Sequence, residues 1–158
     1  MEKIKVYLIA RIAESEHSGN EELCGMLDQR FEVFIPHQHN PYNLAQRKIS
    51  RDVAEFDYNK IDDSDVGLVR EPFGMDCSAE IGYFRGKVKP MILYAENEGH
   101  WQDTWMVKHA ISAFMFPNQN IADRIRQDGT LKNVPMRVVQ TPQELSDFVY
   151  EIAKNYQR

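Results

Sequence analysis

The chain has 158 residues, enough for one domain with a sizeable core. Hydrophobic residues make up 42% and charged residues 27%, and no long polar tract interrupts them, which excludes a disordered chain. A formal net charge of −5 argues against a dedicated nucleic-acid surface, which would carry a basic stripe, and still permits a small anionic ligand, for which a few arginines or a helix N-terminus suffice.

In chain order, Lys3 to Ala10 (KIKVYLIA) is a compact β-branched and aromatic run, so a central strand. Ser18 to Arg30 opens on a Ser-Gly-Asn cap and places Leu23, Met26 and Leu27 at helical spacing. Phe31 to Ile35 reads as a second strand stopped by Pro36, and His37 to Asn43 (HQHNPYN) as a loop. Ile49 to Asp63 is helical. Val66 to Val69 is a buried strand, followed by a polar turn and a helix carrying Glu80 near its start. Pro90 to Ala95 is the fourth strand and Trp101 to about Ser112 a helix. Phe114 to Asn133 is the least patterned part, with a short helix at Ile121 to Gln127. Met136 to Val139 is a fifth strand entered through Pro135, and Thr141 to Tyr156 a capped C-terminal helix.

Five short apolar strands alternating with helices predict one α/β domain over residues 1–158, with a five-stranded parallel sheet covered on both faces. Flavodoxin-like order 2-1-3-4-5 is the common solution at this size. Its strand order reverses between the first and third strands, so the crevice is expected near Ala10-Arg11 and Arg70 to Met75, with Glu80 facing it. Cys24 and Cys77 fit no CxxC or zinc spacing, which predicts a reduced, cytoplasmic setting. The N-terminal apolar run is too short and too soon charged for a signal peptide, and no stretch has the length of a membrane span. The five histidines are scattered, so no metal site and no cofactor are expected.

Two acids stand out. Ile49, Val53, Asp57 and Ile61 follow at four-residue steps, which aligns an acid with three apolar residues on one helix face. A buried carboxylate is costly unless paired, protonated or facing a cavity; the alternative is an edge position paired with Arg51 or Lys60. Glu80 lies where a helix dipole would favour an ionised carboxylate, and Asp76 or Ser78 would serve equally as ordinary caps.

The segments KVYLIA, EVFIPHQH, FDYNKIDDSDVGLV and above all DCSAEIGYFRGKVKPMIL resemble the nucleoside 2-deoxyribosyltransferase family, which includes relatives that hydrolyse nucleoside or nucleotide N-glycosidic bonds. The resemblance runs from the N-terminus to about Leu93, with a weaker echo in TWMVKHAISA (Thr104 to Ala113). It implies a Glu80 nucleophile that attacks the anomeric carbon of deoxyribose, releasing the base and leaving a covalent glycosyl-enzyme for a second base or water to take up. It also implies Asp57 as the acid that handles the base and its proton, and Tyr7 as an aromatic beside sugar and nucleophile. Substrate contacts are expected from Asp76, Ser78 and Gly74 in the turn, from Arg11 and His37 at the crevice edge, and from Trp105 and Met106 as a wall for the base. Arg70 and Arg85 are further cations able to meet a phosphate.

Two departures matter. Leu8-Ile9-Ala10-Arg11 lacks the glycine usual after the first strand's Tyr, and Gly74 occupies the place of a sugar-binding Asp or phosphate-binding Ser, with Asp76 two residues nearer to Glu80. Transfer between free nucleobases, hydrolysis of a nucleoside 5′-monophosphate, and nucleotide binding without turnover therefore all stand as readings. The resemblance further implies a homo-oligomer, and no nucleic-acid polymer or membrane as partner.

Overall fold

The computed structural model describes residues 2–39, 50–97 and 99–156. They form a single parallel sheet of six strands in the order β2-β1-β3-β4-β5-β6. The strands are β1 (Ile4–Ile9), β2 (Phe31–Phe34), β3 (Val66–Arg70), β4 (Met91–Tyr94), β5 (Ala113–Phe116) and β6 (Met136–Val138). The helices among the described residues are α1 (His17–Gly25), α2 (Pro36–His39), α3 (Ser50–Asp63), α4 (Met75–Gly86), α5 (Trp105–Ala110), α6 (Gln119–Arg126) and α7 (Pro142–Tyr156).

The expected five strands are thus six, and the additional one is β5. Its sequence, Ala-Phe-Met-Phe, is wholly buried and so carries no polar alternation to separate it from the helix before it. The helix expected over Trp101 to Ser112 is correspondingly split into a 3₁₀ turn at His100–Gln102 and the short α5. The expected loop after β2 begins as the single turn α2; its residues 40–43, and Ile49 of the four-residue line, lie outside the described residues.

Alternation in the strands sends side chains to two cores. One holds Val6, Leu8, Leu68 and Ile92 against Leu23 of α1 and Leu145, Phe148 and Ile152 of α7. The other holds Tyr7, Ile9, Val69 and Leu93 against Ile61 of α3, Ile81 and Phe84 of α4, Val107 of α5 and Ile121 of α6. On this second face α4 packs between α3 and α5. Gly67 makes the close approach of α4 possible, since a Cβ there would meet Phe84 at 3.3 Å and Met91 at 3.0 Å. α7 starts with a reciprocal cap in which Thr141 Oγ1 accepts from the Glu144 N–H at 3.2 Å and Glu144 Oε2 accepts from the Thr141 N–H at 3.1 Å.

The α4–β4 junction is held by Lys89, whose Nζ donates to the carbonyl oxygens of Ile61 (2.9 Å), Asp62 and Ser64 (2.6 Å) and so closes the C-terminus of α3. Helix α4 itself ends with Lys89 N donating to Phe84 O and Val88 N to Arg85 O, each at 3.1 Å, a Schellman arrangement. Its left-handed position is filled by Val88 at φ 57°, a backbone conformation that a β-branched residue resists. The Val88 side chain is 75% exposed, so little burial offsets this strain. Val88→Gly is expected to raise the unfolding free energy by about 1 kcal/mol, read by urea denaturation; a lower midpoint at unchanged slope would contradict this.

Candidate active site

Tyr7 stands in the middle of β1, fully buried, with its ring between those of Phe34 (centroids 5.3 Å apart) and Phe84 (5.9 Å). Packing leaves the ring one orientation, and in it the hydroxyl donates to Glu80 Oε1 at 2.7 Å. Glu80 is the sixth residue of α4, one turn deeper than expected, where the field of the helix end has largely fallen away. α4 is capped by Gly74, and Cys77 Sγ accepts from the Gly74 N–H at 3.4 Å, so neither Asp76 nor Ser78 serves as cap. Both are exposed on the opening turns.

The charge state follows burial more than the dipole. Desolvation pushes the Glu80 carboxyl up to about 8; the Tyr7 hydrogen bond pulls it down, while the charges of Asp57 and Asp76 push it further up. Asp57, one helix away on α3, is pushed up to about 6 by burial and then by Asp76, and its Oδ1 is buried without a hydrogen-bond partner among the described residues. Burial followed by the Glu80 charge keeps the Tyr7 hydroxyl un-ionised. Cys77 is likewise held as a thiol by burial, at about 11, and Cys77 and Cys24 are both free and buried. Among the described residues, no basic group acts on Glu80, Asp57 or Tyr7.

The result is a Tyr–Glu hydrogen bond flanked by two further carboxyls. Its groups can exchange one proton around neutral pH, and the negative surroundings favour positive charge developing in front of Glu80. Tyr7→Phe removes the one contact that lowers the Glu80 pKa, so that pKa is expected to climb above 8, read by NMR titration of the carboxyl carbon. An unchanged value would mean the hydrogen bond has no part in tuning the acid.

Tyr7, Asp57 and Glu80, the three residues expected to be catalytic, thus lie close enough to interact. The loops after β1 and β3 meet too, through Arg11 N donating to Pro72 O at 3.3 Å. The Arg11 side chain is exposed there. His37 goes elsewhere: its side chain is 5% exposed, its ring stacks on His17 with centroids 3.9 Å apart, and its Nε2 lies 3.2 Å from Glu21 Oε1. Trp101 is fully buried and touches Phe114, whereas Trp105 and Met106 on α5 are 77% and 87% exposed, with no ring contact or hydrogen bond among the described residues.

Arg70 is also committed. Its Nη1 pairs with Glu16 at 3.1 Å and its Nε with Glu96 at 3.1 Å, and a side chain at Gly19 would collide with its guanidinium. Asn20, fully buried, accepts from Arg70 Nη1 at 3.2 Å and donates to the Arg11 carbonyl at 3.0 Å. This network, which spacing alone could not reveal, locks the turn between β1 and α1 beside the site. No group of three or more His, Cys, Asp or Glu among the described residues is placed to hold a metal. No helix among them is long and apolar enough to cross a membrane. Two surface depressions, about 500 Å³ beside Asp28, Arg30 and Gln143 and about 240 Å³ beside Ser64, Val88 and Tyr156, do not reach Glu80.

Solved structures of other proteins share this fold, and two of them follow. One is a conserved protein from Enterococcus faecalis V583, with a TM-score of 0.57 and 17% identity over 98% of this chain and 99% of that one. The other is a 2-deoxyribosyltransferase from the psychrotolerant bacterium Bacillus psychrosaccharolyticus, with a TM-score of 0.54 and 17% identity over 83% of this chain and 97% of that one. No family model and no curated protein matches the sequence.

Proposed function

We propose that the protein is a nucleoside 2-deoxyribosyltransferase that moves the sugar of a 2-deoxynucleoside from one nucleobase to another through a glycosyl ester on Glu80. The observation that carries this reading is the 2.7 Å hydrogen bond from the Tyr7 hydroxyl to Glu80 Oε1, with Asp57 raised to about 6 beside it. A fold shared with a 2-deoxyribosyltransferase supports it. In the first half-reaction the free oxygen of ionised Glu80 attacks the anomeric carbon while Asp57, in its protonated form, gives its proton to the departing base. The Tyr7 hydroxyl keeps the carboxylate pointed at that carbon, and the surrounding carboxylates favour the positive charge that gathers on the sugar. In the second half-reaction an incoming base attacks the anomeric carbon and gives up a proton to Asp57, while the bond from that carbon to the Glu80 oxygen breaks and frees the carboxylate.

The site favours an uncharged nucleoside over its 5′-monophosphate. A phosphate beside three carboxyls requires a cation; Arg70 is already engaged by Glu16 and Glu96, and the Arg11 side chain, at the meeting of the loops after β1 and β3, is exposed to water. Exposed Met75, Trp105 and Met106 on α4 and α5 support association with a second copy. The test is chromatography of incubations containing a 2-deoxynucleoside with and without a second free base. A new nucleoside appearing only with both substrates is the expected result. Base release that ignores the acceptor would replace transfer with hydrolysis, and tight binding without turnover would replace catalysis with sensing.

A further inference from the structure

Asn20 is the fourth residue of α1 and is fully buried. Asparagine is a poor helix former, and a buried amide is costly unless both of its ends are partnered. Here both are: Oδ1 accepts from Arg70 Nη1 at 3.2 Å and Nδ2 donates to the Arg11 carbonyl at 3.0 Å. A guanidinium can only donate and a carbonyl can only accept, so these partners allow the amide one orientation. Arg70 is fixed in its turn by Glu16 and Glu96, each at 3.1 Å, and by α1, where a Cβ on Gly19 would lie 2.4 Å from Nη2. Arg70 follows Leu68 by two along β3, so it projects to the face covered by α1 and α7, opposite the face on which α4 carries Glu80.

What this amide holds is the backbone just beyond β1. Arg11 has its carbonyl tied to Asn20 and its N–H to the Pro72 carbonyl at 3.3 Å. The next carbonyl, that of Ile12, lies 3.0 Å from His17 Nε2, also on α1. Pro72 comes two residues before Gly74, the cap of α4, and Glu80 follows six residues further along that helix. A closed ring of links results. It runs from Tyr7 along β1 to Arg11, across to Pro72, along α4 to Glu80, and back to Tyr7 through the 2.7 Å hydrogen bond. The Arg11–Pro72 bond is the longer of the two hydrogen bonds in this ring and, by its length, the weaker. Asn20 and Arg70 hold the Arg11 side of it in place.

We propose that Asn20, clamped by Arg70, is a positioning residue for Glu80: it fixes Arg11, through Arg11 the loop that enters α4, and through α4 the nucleophile. The inference rests on the transferase reading of the Glu80 site and goes further by placing part of its support on the other face of the sheet. A reacting group has to be held within about 0.5 Å of its productive place, and a displacement of about 1 Å costs up to about 100-fold in rate. Without Asn20, Arg11 no longer secures Pro72, and the start of α4 drifts. Glu80 then keeps its chemistry but stands in line with the anomeric carbon less of the time.

The experiment compares Asn20→Leu, Asn20→Asp and the control Ser146→Ala. Leucine removes both hydrogen bonds at similar size, whereas aspartate keeps an acceptor for Arg70 and loses only the donor aimed at Arg11. The aspartate variant therefore carries the test if the leucine variant does not fold. Ser146 is a buried bridge of the same kind past the C-terminus of α1, accepting from the Asp28 N–H and donating to the Met26 carbonyl at 3.1 Å each. Base release from a 2-deoxynucleoside is followed through one turnover, with protein in excess and no acceptor base, and hydrogen exchange of the Arg11 and Gly74 amides is followed by NMR. Both Asn20 variants are expected to release base about tenfold more slowly at unchanged amplitude per chain, and to exchange both amides about tenfold faster; Ser146→Ala should change neither. The unchanged amplitude separates a misplaced nucleophile from a fraction of unfolded chains. Amides as protected as in the parent, or release at the rate of an active parent, would overturn the inference. Loosened amides in variants of a parent that releases no base would keep Asn20 as the clamp of α4 and overturn the transferase reading.

Discussion

Glu80→Gln is expected to lower base exchange at least about 1,000-fold while making the protein more stable at pH 8. The first effect is chemical: an amide oxygen can accept the Tyr7 hydrogen bond, so geometry survives, but it cannot form and release a glycosyl ester. The second follows from proton linkage. The carboxyl's ordinary value is 4.5 and burial raises it to about 8 in the folded chain. Below pH 4.5 folded and unfolded chains both hold the proton. Between 4.5 and 8 only the folded chain does, so stability falls as pH rises through that window and levels off above it. Glutamine has no proton to lose and escapes that decline. The variant's advantage should be small at pH 4 and grow to a few kcal/mol by pH 8, read as unfolding free energy against pH. A variant less stable than the parent at every pH would mean that Glu80 supports the fold instead of taxing it.

The second large effect is expected at Asp57. Glu80 and Asp57 titrate near 8 and 6, so between those values the pair holds a single proton. Exchange uses the minor arrangement of that proton, on Asp57 with Glu80 ionised to attack, because the higher value of Glu80 keeps the proton mainly there. kcat/KM should therefore trace a bell with limbs near 6 and 8, values belonging to the pair. Asp57→Asn should lower exchange about 100-fold for a base that needs its proton. It should also turn the bell into a single rise with pH, because only Glu80 ionisation then remains. The midpoint of that rise should lie below 8, since the Asp57 charge that pushes Glu80 upward is gone. A bell that survives in Asp57→Asn would assign the second proton to another group.

Much of this site can be read from the chain. Tyr7 and Glu80 stand in patterned strand and helix segments that resemble a known family, and Asp57 shares a helix line with Ile61, which is fully buried. Burial of that line follows from periodicity, and a raised carboxyl follows from burial. What could not be read depends on contacts distant in sequence. The rings of Phe34, His39 and Phe56 touch from three elements, and no spacing rule joins them. Likewise the Arg70 clamp uses Glu16 from the turn before α1, Asn20 from α1 and Glu96 from beyond β4, and His37 turns inward onto His17. β5 escaped for a different reason. A run of four buried apolar residues has the same pattern whether it closes a helix or crosses a sheet, and only its pairing with β4 and β6 decides. The position of Glu80 one turn inside α4 also reverses a simple expectation, since partial burial raises its pKa where an exposed helix start would lower it.

The most direct test of the account is intact-protein mass spectrometry after rapid quenching of the protein with a 2-deoxynucleoside and no acceptor base. The account predicts a population heavier by one deoxyribosyl group, mapped by peptide sequencing to Glu80, absent from Glu80→Gln and discharged on adding a free base. Base exchange at full rate by a Glu80→Gln protein, or an adduct on any other residue, would contradict it.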